Sequence, residues 1–444
     1  MITKNKIKQD NLALRRLVNN LNIPIKRLFS GSHFSINPKA KEILRDEKSL
    51  LETRKINGHS YRFLLNRKFV TFTDLEKDLF HEIVLAFSIL YKTFDGAGYH
   101  AHFRSAVTES IIDIGISRYF RENQIDLLGP FQNLISILQR LSFERYEGSA
   151  ATTGFFITKK SMASLTNSIK KFGLDISTLM GKSYTVSDEL FAGPLSYRYV
   201  DGSHSLYLAE VGTSYPFIKI NNILLKSKKA EVDGVDILSH KELFNLIDPN
   251  GKENIAAILN SKSEIEILTG DRKIILWRKG NWSIFDPSIF HDFLKDILMS
   301  ESLRDALIWT VYSISKIRHG TLILIGDINE TTVNSIKKGS VAGDHNLSND
   351  LIGLFAKKSI CDLKSSNELM RILTSDGLTI VNCAGKIIDT GIITDTSKIR
   401  NGSATGGGRT TAAIAASNHG KVIKVSEDGP ISLYHDEKLI YKFG

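Results

Sequence analysis

Residues 318–325 read Arg-His-Gly-Thr-Leu-Ile-Leu-Ile, and this stretch indicates the fold class of the C-terminal third of the chain. The unbroken apolar run after Thr321 predicts a strand buried on both faces, because a strand with one solvated face alternates apolar and polar residues. Such a strand belongs in a sheet that is covered by helices.

Helices and strands are interleaved around this strand. Upstream, apolar residues from Phe290 to Val311 recur at helical spacing, and Gly320 is the predicted helix stop. Downstream, helices are predicted over Asn349–Lys357 and Ser366–Thr374. The predicted strands that follow are Leu378–Val381, Lys386–Thr394, Val422–Val425, Ile431–Tyr434 and Leu439–Phe443. Because several of these form hairpins, the pattern predicts an α/β fold with a mixed C-terminal sheet flanked by helices.

A glycine-rich stretch lies between two of these strands. Residues 401–411 read Asn-Gly-Ser-Ala-Thr-Gly-Gly-Gly-Arg-Thr-Thr, and the Ala-rich run 412–417 predicts a helix directly behind them. Free glycine amides, a helix amino end and the Arg409 guanidinium together suit a phosphate group. The spacing is not that of a Walker loop, and a flexible connection is the alternative interpretation.

Two acidic turns accompany the glycine stretch. Ser375–Gly377 precedes one predicted strand, and Ser426–Gly429 follows another. Both sequences are ordinary turn formers. Together with the glycine stretch, however, they supply what a nucleotide reaction needs, namely carboxylates for a divalent cation and donors for phosphates.

The 444 residues are enough for two or three domains. Helical periodicity over 73–94 and 131–141 predicts a mainly helical N-terminal part, residues 1–185. A β-richer part is predicted for 186–285, so that the N-terminal region as a whole is mixed α+β. The third predicted domain, 286–444, begins at Asp286–Pro287.

Composition limits the classes of partner. The net charge is +10, but the basic residues are scattered, so binding to nucleic acid is not favoured. The sequence shows neither a signal-peptide core nor an apolar run near 18 residues, which predicts no membrane span. The two cysteines, Cys361 and Cys383, lack metal-type spacing, so we expect reduced thiols and a cytoplasmic location. His100 and His102 could ligate a metal, but no further ligand has a recognisable spacing.

Residues 303–444 resemble the catalytic domain of the diadenylate cyclases, the family that condenses two ATP into cyclic di-AMP and releases pyrophosphate. The resemblance lies in the order of its motifs: Arg318–Gly320 and its strand, Asp376–Leu378 where the family has Asp-Gly-Ala, Gly385 and Gly391 in the hairpin, Gly407–Ala413 where it has Gly-Thr-Arg-His-Arg-Ala-Ala, and Val425–Glu427 where it has Val-Ser-Glu. It covers about a third of the chain.

The resemblance implies roles for individual residues. Asp376 would help hold Mg²⁺ or Mn²⁺ and prepare the ribose 3′-hydroxyl, and Glu427 would be the second metal carboxylate, with Asp428 as a substitute. Arg409 would grip the triphosphate. The remaining nucleotide-binding residues would be Gly377, Leu378, Gly406, Gly407, Gly408, Thr410, Thr411 and Ser426. Since each domain would hold one ATP, two must face each other in a homodimer or a larger homo-oligomer.

Two departures from the family pattern keep an alternative open. Leu378 replaces the usual Ala, and of the Arg-His-Arg motif only Arg409 remains, with Thr410 and Thr411 in the other places. A catalytically weak or inactive cyclase fold that serves as a nucleotide-binding sensor or scaffold is therefore the second hypothesis. The N-terminal region resembles the sensor modules fused to some of these cyclases, with Tyr146–Gly148 as its most suggestive match. Glu147 and Arg145 could bind a ligand, but a surface ion pair is the more common explanation for such residues.

Overall fold

A computed structural model describes most of the chain. The described residues are 18–36, 47–56, 59–93, 101–120, 128–172, 174–179, 183–211, 218–226, 234–247, 253–341, 346–356, 358–399 and 406–444. They divide into two compact units: the first comprises residues 1–229 and 242–285, and the second comprises 230–241 and 286–444. Residues 185 and 186 lie within the first unit, and the subdivision expected there stays a prediction.

The strands are numbered in chain order. They are β1 Ser32–Ile36, β2 Ser49–Ile56, β3 His59–Arg67, β4 Arg145–Tyr146, β5 Ser149–Ala150, β6 Thr153–Thr158, β7 Leu174–Thr178, β8 Tyr184–Thr185, β9 Ser205–Val211, β10 Ile218–Lys226, β11 Asn254–Leu259, β12 Ile265–Leu268, β13 Ile274–Arg278, β14 Asn281–Phe285, β15 Thr321–Gly326, β16 Lys337–Ser340, β17 Leu378–Asn382, β18 Ile387–Thr394, β19 Lys421–Val425, β20 Ile431–His435 and β21 Lys438–Phe443.

The helices are numbered likewise, and residues 18–28 are also helical. They are α1 Asp74–Thr93, α2 Ala101–Tyr119, α3 Leu128–Leu141, α4 Met162–Lys171, α5 Leu195–Arg198, α6 Gly234–Leu238, α7 Lys241–Leu246, α8 Pro287–Leu294, α9 Glu301–Ile317, α10 Glu330–Ile336, α11 Asn346–Phe355, α12 Ile360–Ser365, α13 Glu368–Leu373 and α14 Gly408–Ala416. Among the described residues, no helix is both long enough and apolar enough to cross a membrane.

The first unit contains two main sheets. One has the order β1-β3-β2, and the other runs β14-β13-β12-β11-β6-β9-β10-β7, with β8 also paired to β10. In the larger sheet β6 and β9 are parallel, and the other pairs are antiparallel. The turn predicted at Lys279–Gly280 joins β13 to β14 with φ of 50° and 78°, the left-handed conformation that a two-residue hairpin needs. The helices predicted over 73–94 and 131–141 are confirmed as α1 and α3.

The second unit is built on one mixed sheet of seven strands in the order β16-β18-β17-β15-β19-β20-β21. β15 and β17 are parallel, whereas β19 runs antiparallel to β15. β15, which carries the apolar run after Thr321, is central and buried along its whole length. One face carries α14, through contacts among Leu324, Val422 and Ala413. The other face carries α8 and α9, through the ring pairs Phe290–Tyr441 and Tyr312–Phe443. The α/β class with a mixed sheet is thereby confirmed.

Several predicted helix boundaries are corrected. The long periodic stretch from Phe290 is broken into α8 and α9, with Asp286 capping α8 through its side chain. The helix stop is Arg318, which adopts φ 57° and ψ 49°, rather than Gly320. The stretch Ser366–Thr374 begins in the turn between two short helices, α12 and α13, because Asn367 lies in the left-handed region. The helix α14 begins at Gly408, so that Arg409–Thr411 form its first turn rather than part of a loop.

Candidate functional site

The topology of the second unit brings the three motif regions to one end of its sheet. Because β15 and β17 are parallel, the segments that precede them, Gly320 and Asp376–Gly377, lie side by side. Because β19 is antiparallel to β15, with Val425 opposite Thr321, the Ser426–Gly429 turn emerges at the same end. The first turn of α14 lies there too, since Arg409 contacts residues of all three segments.

Arg409 is the centre of the contacts at this end of the sheet. Its Nη1 donates to Glu427 Oε1 at 2.5 Å, and its Nη2 donates to Asp376 Oδ1 at 3.3 Å. The two carboxylates are separated by 51 residues in the chain, as their numbers show, yet they share one guanidinium. We call these three residues the Arg409 triad. Three residues singled out from separate motifs thus meet in one cluster.

The triad is open to solvent. The side chains of Asp376 and Glu427 are 74% and 71% exposed, and that of Arg409 is 38% exposed. Exposed ion pairs of this kind contribute about 0–1 kcal/mol each. A ligand that offers Arg409 a better anion, or offers the carboxylates a better cation, can therefore displace these pairs at little cost.

Gly320 leaves room for the Arg409 guanidinium. A Cβ built on Gly320 would lie 2.8 Å from Arg409 Nη1 and 2.9 Å from Cζ, closer than side-chain atoms approach each other. Gly320 therefore makes space for Arg409 and is not the helix stop that the sequence predicted. Because it has no side chain, the guanidinium can lie against the backbone that leads into β15.

The segment that carries Asp376 is fixed on two sides. The His319 Nε2 atom lies 2.7 Å from the carbonyl oxygen of Thr374, just before the acidic turn. Gly377 has a φ of +94°, and a Cβ there would lie 2.7 Å from the backbone carbon of Gly391 on β18. Asp376 Oδ1 also accepts the Gly377 N–H at 3.0 Å. The Asp376 carboxylate therefore projects from a turn that is held tightly against the sheet.

Glu427 lies in the tight turn between β19 and β20. The Ser426 N–H donates to the carbonyl of Pro430 at 2.9 Å, and the Gly429 N–H donates to that of Ser426 at 2.8 Å. The Ser315 hydroxyl of α9 donates to the Gly429 carbonyl. These bonds leave Glu427 and Asp428 exposed at the turn. Glu427 forms an ion pair with Arg409, whereas Asp428 forms neither a hydrogen bond nor an ion pair with Arg409.

The glycine stretch is described only from residue 406 onward, so Asn401–Thr405 lie outside the described residues. Gly407 is the N-cap of α14, and its carbonyl accepts the N–H groups of Thr410 at 2.8 Å and Thr411 at 3.2 Å. Gly406, Gly407 and Gly408 are exposed. The predicted stretch is thus, in its described part, the start of a helix beside the triad.

Leu378 differs from the other predicted site residues. Its side chain is fully buried in the cluster that β15, β17 and α14 share. Only its backbone can face a ligand at the surface, so the change from the family's Ala is absorbed by the core.

Sequence reasoning missed two functional candidates. One is Gly320 as the residue that makes space for Arg409, and the other is Lys424. Lys424 lies on β19, where its neighbours Val422 and Val425 are buried, and its Nζ donates to the Thr410 hydroxyl at 2.8 Å. The signal in the sequence was a lysine within a strand whose other residues read as core. Burial above all, with further contributions from the charges of Lys442 and Arg409, holds the pKa of Lys424 below its usual value, although Asp428 opposes this.

A divalent cation fits the site in a limited way. No group of three or more His, Cys, Asp or Glu side chains suited to a metal occurs among the described residues. Mg²⁺ and Mn²⁺ are often held, however, by one or two carboxylates together with substrate phosphates. Asp376 and Glu427 already share one cationic group, the Arg409 guanidinium. They match the metal-binding pattern once Arg409 no longer pairs with them. His100 lies outside the described residues, and nothing is described of the His102 side chain.

In the first unit, the Tyr146–Gly148 stretch forms the β4–β5 hairpin, with Glu147 and Gly148 at φ 49° and 78°. The Glu147 carboxylate pairs with Arg198 at 3.2 Å, and the Arg198 guanidinium lies 4.9 Å from the centre of the Tyr146 ring. Arg145 donates to the Ser263 hydroxyl at 3.1 Å. These contacts agree with the surface-ion-pair alternative for Glu147.

Comparisons with known proteins add little to this description. No protein-family model matches the chain, and no curated protein matches it. A solved structure described as a hypothetical membrane spanning protein from Bacillus cereus is 22% identical over 35% of this chain and 70% of its own, with a TM-score of 0.26. A double mutant of DacA from Staphylococcus aureus is 26% identical over 32% of this chain and 88% of its own, with a TM-score of 0.22. TM-scores this low do not establish a shared fold.

Proposed function

We propose that the second unit is a diadenylate cyclase domain, which condenses two ATP into cyclic di-AMP and releases pyrophosphate. The observation that carries this proposal is the Arg409 triad, in which residues from three separate motifs of the resemblance contact one another. The resemblance rests on the order of the motifs along the chain, whereas the contacts arise from strand topology. Their agreement supports one composite site, and a diadenylate cyclase-like fold is part of the same proposal.

Arg409 is proposed to hold the triphosphate. In the structure its guanidinium is held by two exposed carboxylates, so its charge is balanced at low cost. A triphosphate can compete with these carboxylates, because it carries several negative charges and its oxygens accept charge-assisted, bidentate hydrogen bonds from a guanidinium. Nucleotide binding would therefore exchange carboxylate partners for phosphate partners, and it would free Asp376 and Glu427 for their own roles.

Asp376 is proposed to act on the ribose 3′-hydroxyl. Its carboxylate would accept a hydrogen bond from that hydroxyl and take its proton while the oxygen attacks the α-phosphorus of the facing ATP. A new P–O bond forms, the bond from the α-phosphorus to the bridging oxygen breaks, and pyrophosphate leaves with the electron pair. The same step, repeated at the second site, closes the ring of cyclic di-AMP.

The proposal includes a divalent cation. Asp376 and Glu427 would hold Mg²⁺ or Mn²⁺, which when bound neutralises charge on the phosphates. The tight Gly377 and Ser426–Gly429 turns keep both carboxylates at the surface, where they can face a nucleotide.

Two such sites must face each other, since each domain would hold one ATP. A homodimer or larger homo-oligomer is therefore part of the proposed mechanism. A cytoplasmic location and control of this assembly by residues 1–285 also remain predictions. Deleting residues 1–229, which keeps residues 230–241 of the second unit, and comparing assembly and turnover with the full chain tests the second of these.

The test is to incubate the purified full chain with ATP and either Mn²⁺ or Mg²⁺ and to identify products by mass spectrometry. We expect cyclic di-AMP from the native chain and none from Asp376→Asn. Asp436→Asn is a matched control, because Asp436 is an exposed carboxylate in the β20–β21 turn at the opposite end of the sheet. Absence of product with either metal would overturn the cyclase assignment.

One observation favours the second hypothesis, a nucleotide-binding sensor or scaffold without turnover. The Arg-His-Arg motif retains a single guanidinium, and in the structure both partners of that guanidinium are carboxylates. Measurable ATP affinity with no product under either metal would select this alternative. Steeply salt-dependent binding to DNA or RNA would instead support the nucleic-acid interpretation, which rests on net charge alone.

A further inference from the structure

Lys424 occupies an unusual position in the sheet of the second unit. It lies opposite Leu322 on β15 and Ser432 on β20, on the face that carries α14. Ser432 in turn lies opposite Lys442 on β21. These four residues form a row across the sheet, in the order Leu322, Lys424, Ser432 and Lys442. The row changes from apolar to polar or basic at Lys424, which lies next to the first turn of α14.

The contacts of Lys424 differ from those of Arg409. Its ammonium donates to Thr410 Oγ1 at 2.8 Å, and within the described part of the chain it has no carboxylate oxygen within 4.0 Å. Arg409, one residue before Thr410, has two carboxylate partners. The half-buried lysine is thus a cation held by a neutral hydroxyl, beside a guanidinium whose charge is already balanced.

The charge of Lys424 is only partly balanced by its surroundings. Partial burial is the main cause that lowers the pKa of Lys424, and the positive charges of Lys442 and Arg409 add to it, whereas the negative charge of Asp428 opposes it. Neighbouring cations destabilise the charged form of this half-buried ammonium. An anionic ligand therefore stabilises it by more free energy than it would stabilise a fully solvated ammonium, because water screens the half-buried charge less.

We propose that Lys424, positioned by Thr410, is a second phosphate-binding cation of the nucleotide site. This inference rests on the proposed function and deepens it, because it assigns the role left open by the incomplete Arg-His-Arg motif of α14 to a residue of strand β19. Lys424 binds the phosphate chain, and it makes no contact with the base or the ribose. The site consequently discriminates between nucleotides by their number of phosphates.

Lys424→Met tests the proposal, because methionine keeps the length of the side chain and removes its charge. Dissociation constants for ATP, AMP and adenosine are measured by isothermal titration calorimetry on the full chain. A charge-assisted hydrogen bond is worth about ten- to a hundredfold in affinity. We expect ATP to bind Lys424→Met about ten- to a hundredfold more weakly, with adenosine unchanged within twofold. Lys424→Arg should recover most of the ATP affinity.

Lys438→Met is the matched control, since Lys438 is an exposed lysine at the opposite end of the same sheet. It should bind ATP as the native chain does, and a Tm at least as high as that of the native chain would show that each variant folds. Unchanged ATP affinity in Lys424→Met, or an equal loss for ATP and adenosine, would overturn the role of Lys424 and leave the proposed function standing. A native chain that binds none of the three ligands would overturn both.

Discussion

Replacing Gly320 by alanine perturbs Arg409 without touching it directly. The added Cβ would lie 2.8 Å from Arg409 Nη1 and 2.9 Å from Cζ. Carbon and nitrogen atoms of this kind rest about 3.5 Å apart, so the guanidinium must move by about 0.7 Å. The atoms that must move are at the end of a flexible side chain rather than in the backbone, and the fold can therefore accept the substitution.

The expected effect falls on function rather than on stability. Misplacement of a binding group by about 1 Å can cost about a hundredfold in rate, so a shift of about 0.7 Å should lower ATP turnover by about ten- to a hundredfold. Gly320 does not have a positive φ, so alanine can adopt its backbone conformation without strain. Alanine also lowers the conformational entropy of the unfolded chain. We therefore expect the free energy of unfolding to stay the same or to rise by up to about 1 kcal/mol.

The assay compares cyclic di-AMP formation and Tm for Gly320→Ala with those for Gly339→Ala. Gly339 lies on β16, and its added Cβ would make an ordinary contact of 3.6 Å with Ile393. Native turnover in Gly320→Ala, together with a native Tm, would refute the idea that the position of Arg409 matters. A large fall in Tm would show instead that the glycine serves the fold.

The remaining predictions concern the same end of the sheet. Arg409→Ala should abolish turnover and change Tm by less than about 4 °C, because its exposed ion pairs contribute little stability; native turnover would mean that the triphosphate is held elsewhere. Gly377→Ala should lower Tm by about 5–15 °C, since its Cβ meets the Gly391 backbone at 2.7 Å with φ at +94°. Lys424→Met should be more stable than the native chain at pH 7, and urea unfolding should show this difference shrinking as pH rises toward 10.5, the ordinary pKa of lysine. The sign follows because the unfolded chain binds more protons between the two pKa values of Lys424, so that the native chain gains stability there; a constant difference would contradict it.

Much of the second unit could be predicted from the sequence, because its strands are strongly patterned. The apolar run after Thr321 predicted a buried strand, and the predicted strands Leu378–Val381 and Lys386–Thr394 are confirmed as the β17–β18 hairpin. The order of these strands was not accessible in the same way. Whether Asp376 and Glu427 meet depends on β15 and β17 being parallel and on β19 being antiparallel to β15, and pairing of that kind is a long-range property that no local pattern records.

The roles of single residues were harder to predict. Gly320 follows a helix and so resembled a helix stop, but Arg318 can adopt the left-handed conformation itself, which leaves Gly320 to accommodate Arg409. Lys424 was unremarkable as part of a predicted strand. Its significance comes from the direction of its side chain toward Thr410, which requires the register of β19 against β15 and the placement of α14.

In the proposed function, the Arg409 triad opens to receive a nucleotide. A crystal structure of the full chain with a non-hydrolysable ATP analogue and Mg²⁺ tests it most directly. We predict phosphate oxygens within hydrogen-bond distance of Arg409 and Lys424, with Asp376 and Glu427 released from the guanidinium. A nucleotide bound elsewhere, or one bound here while Arg409 keeps both carboxylates, would contradict the account.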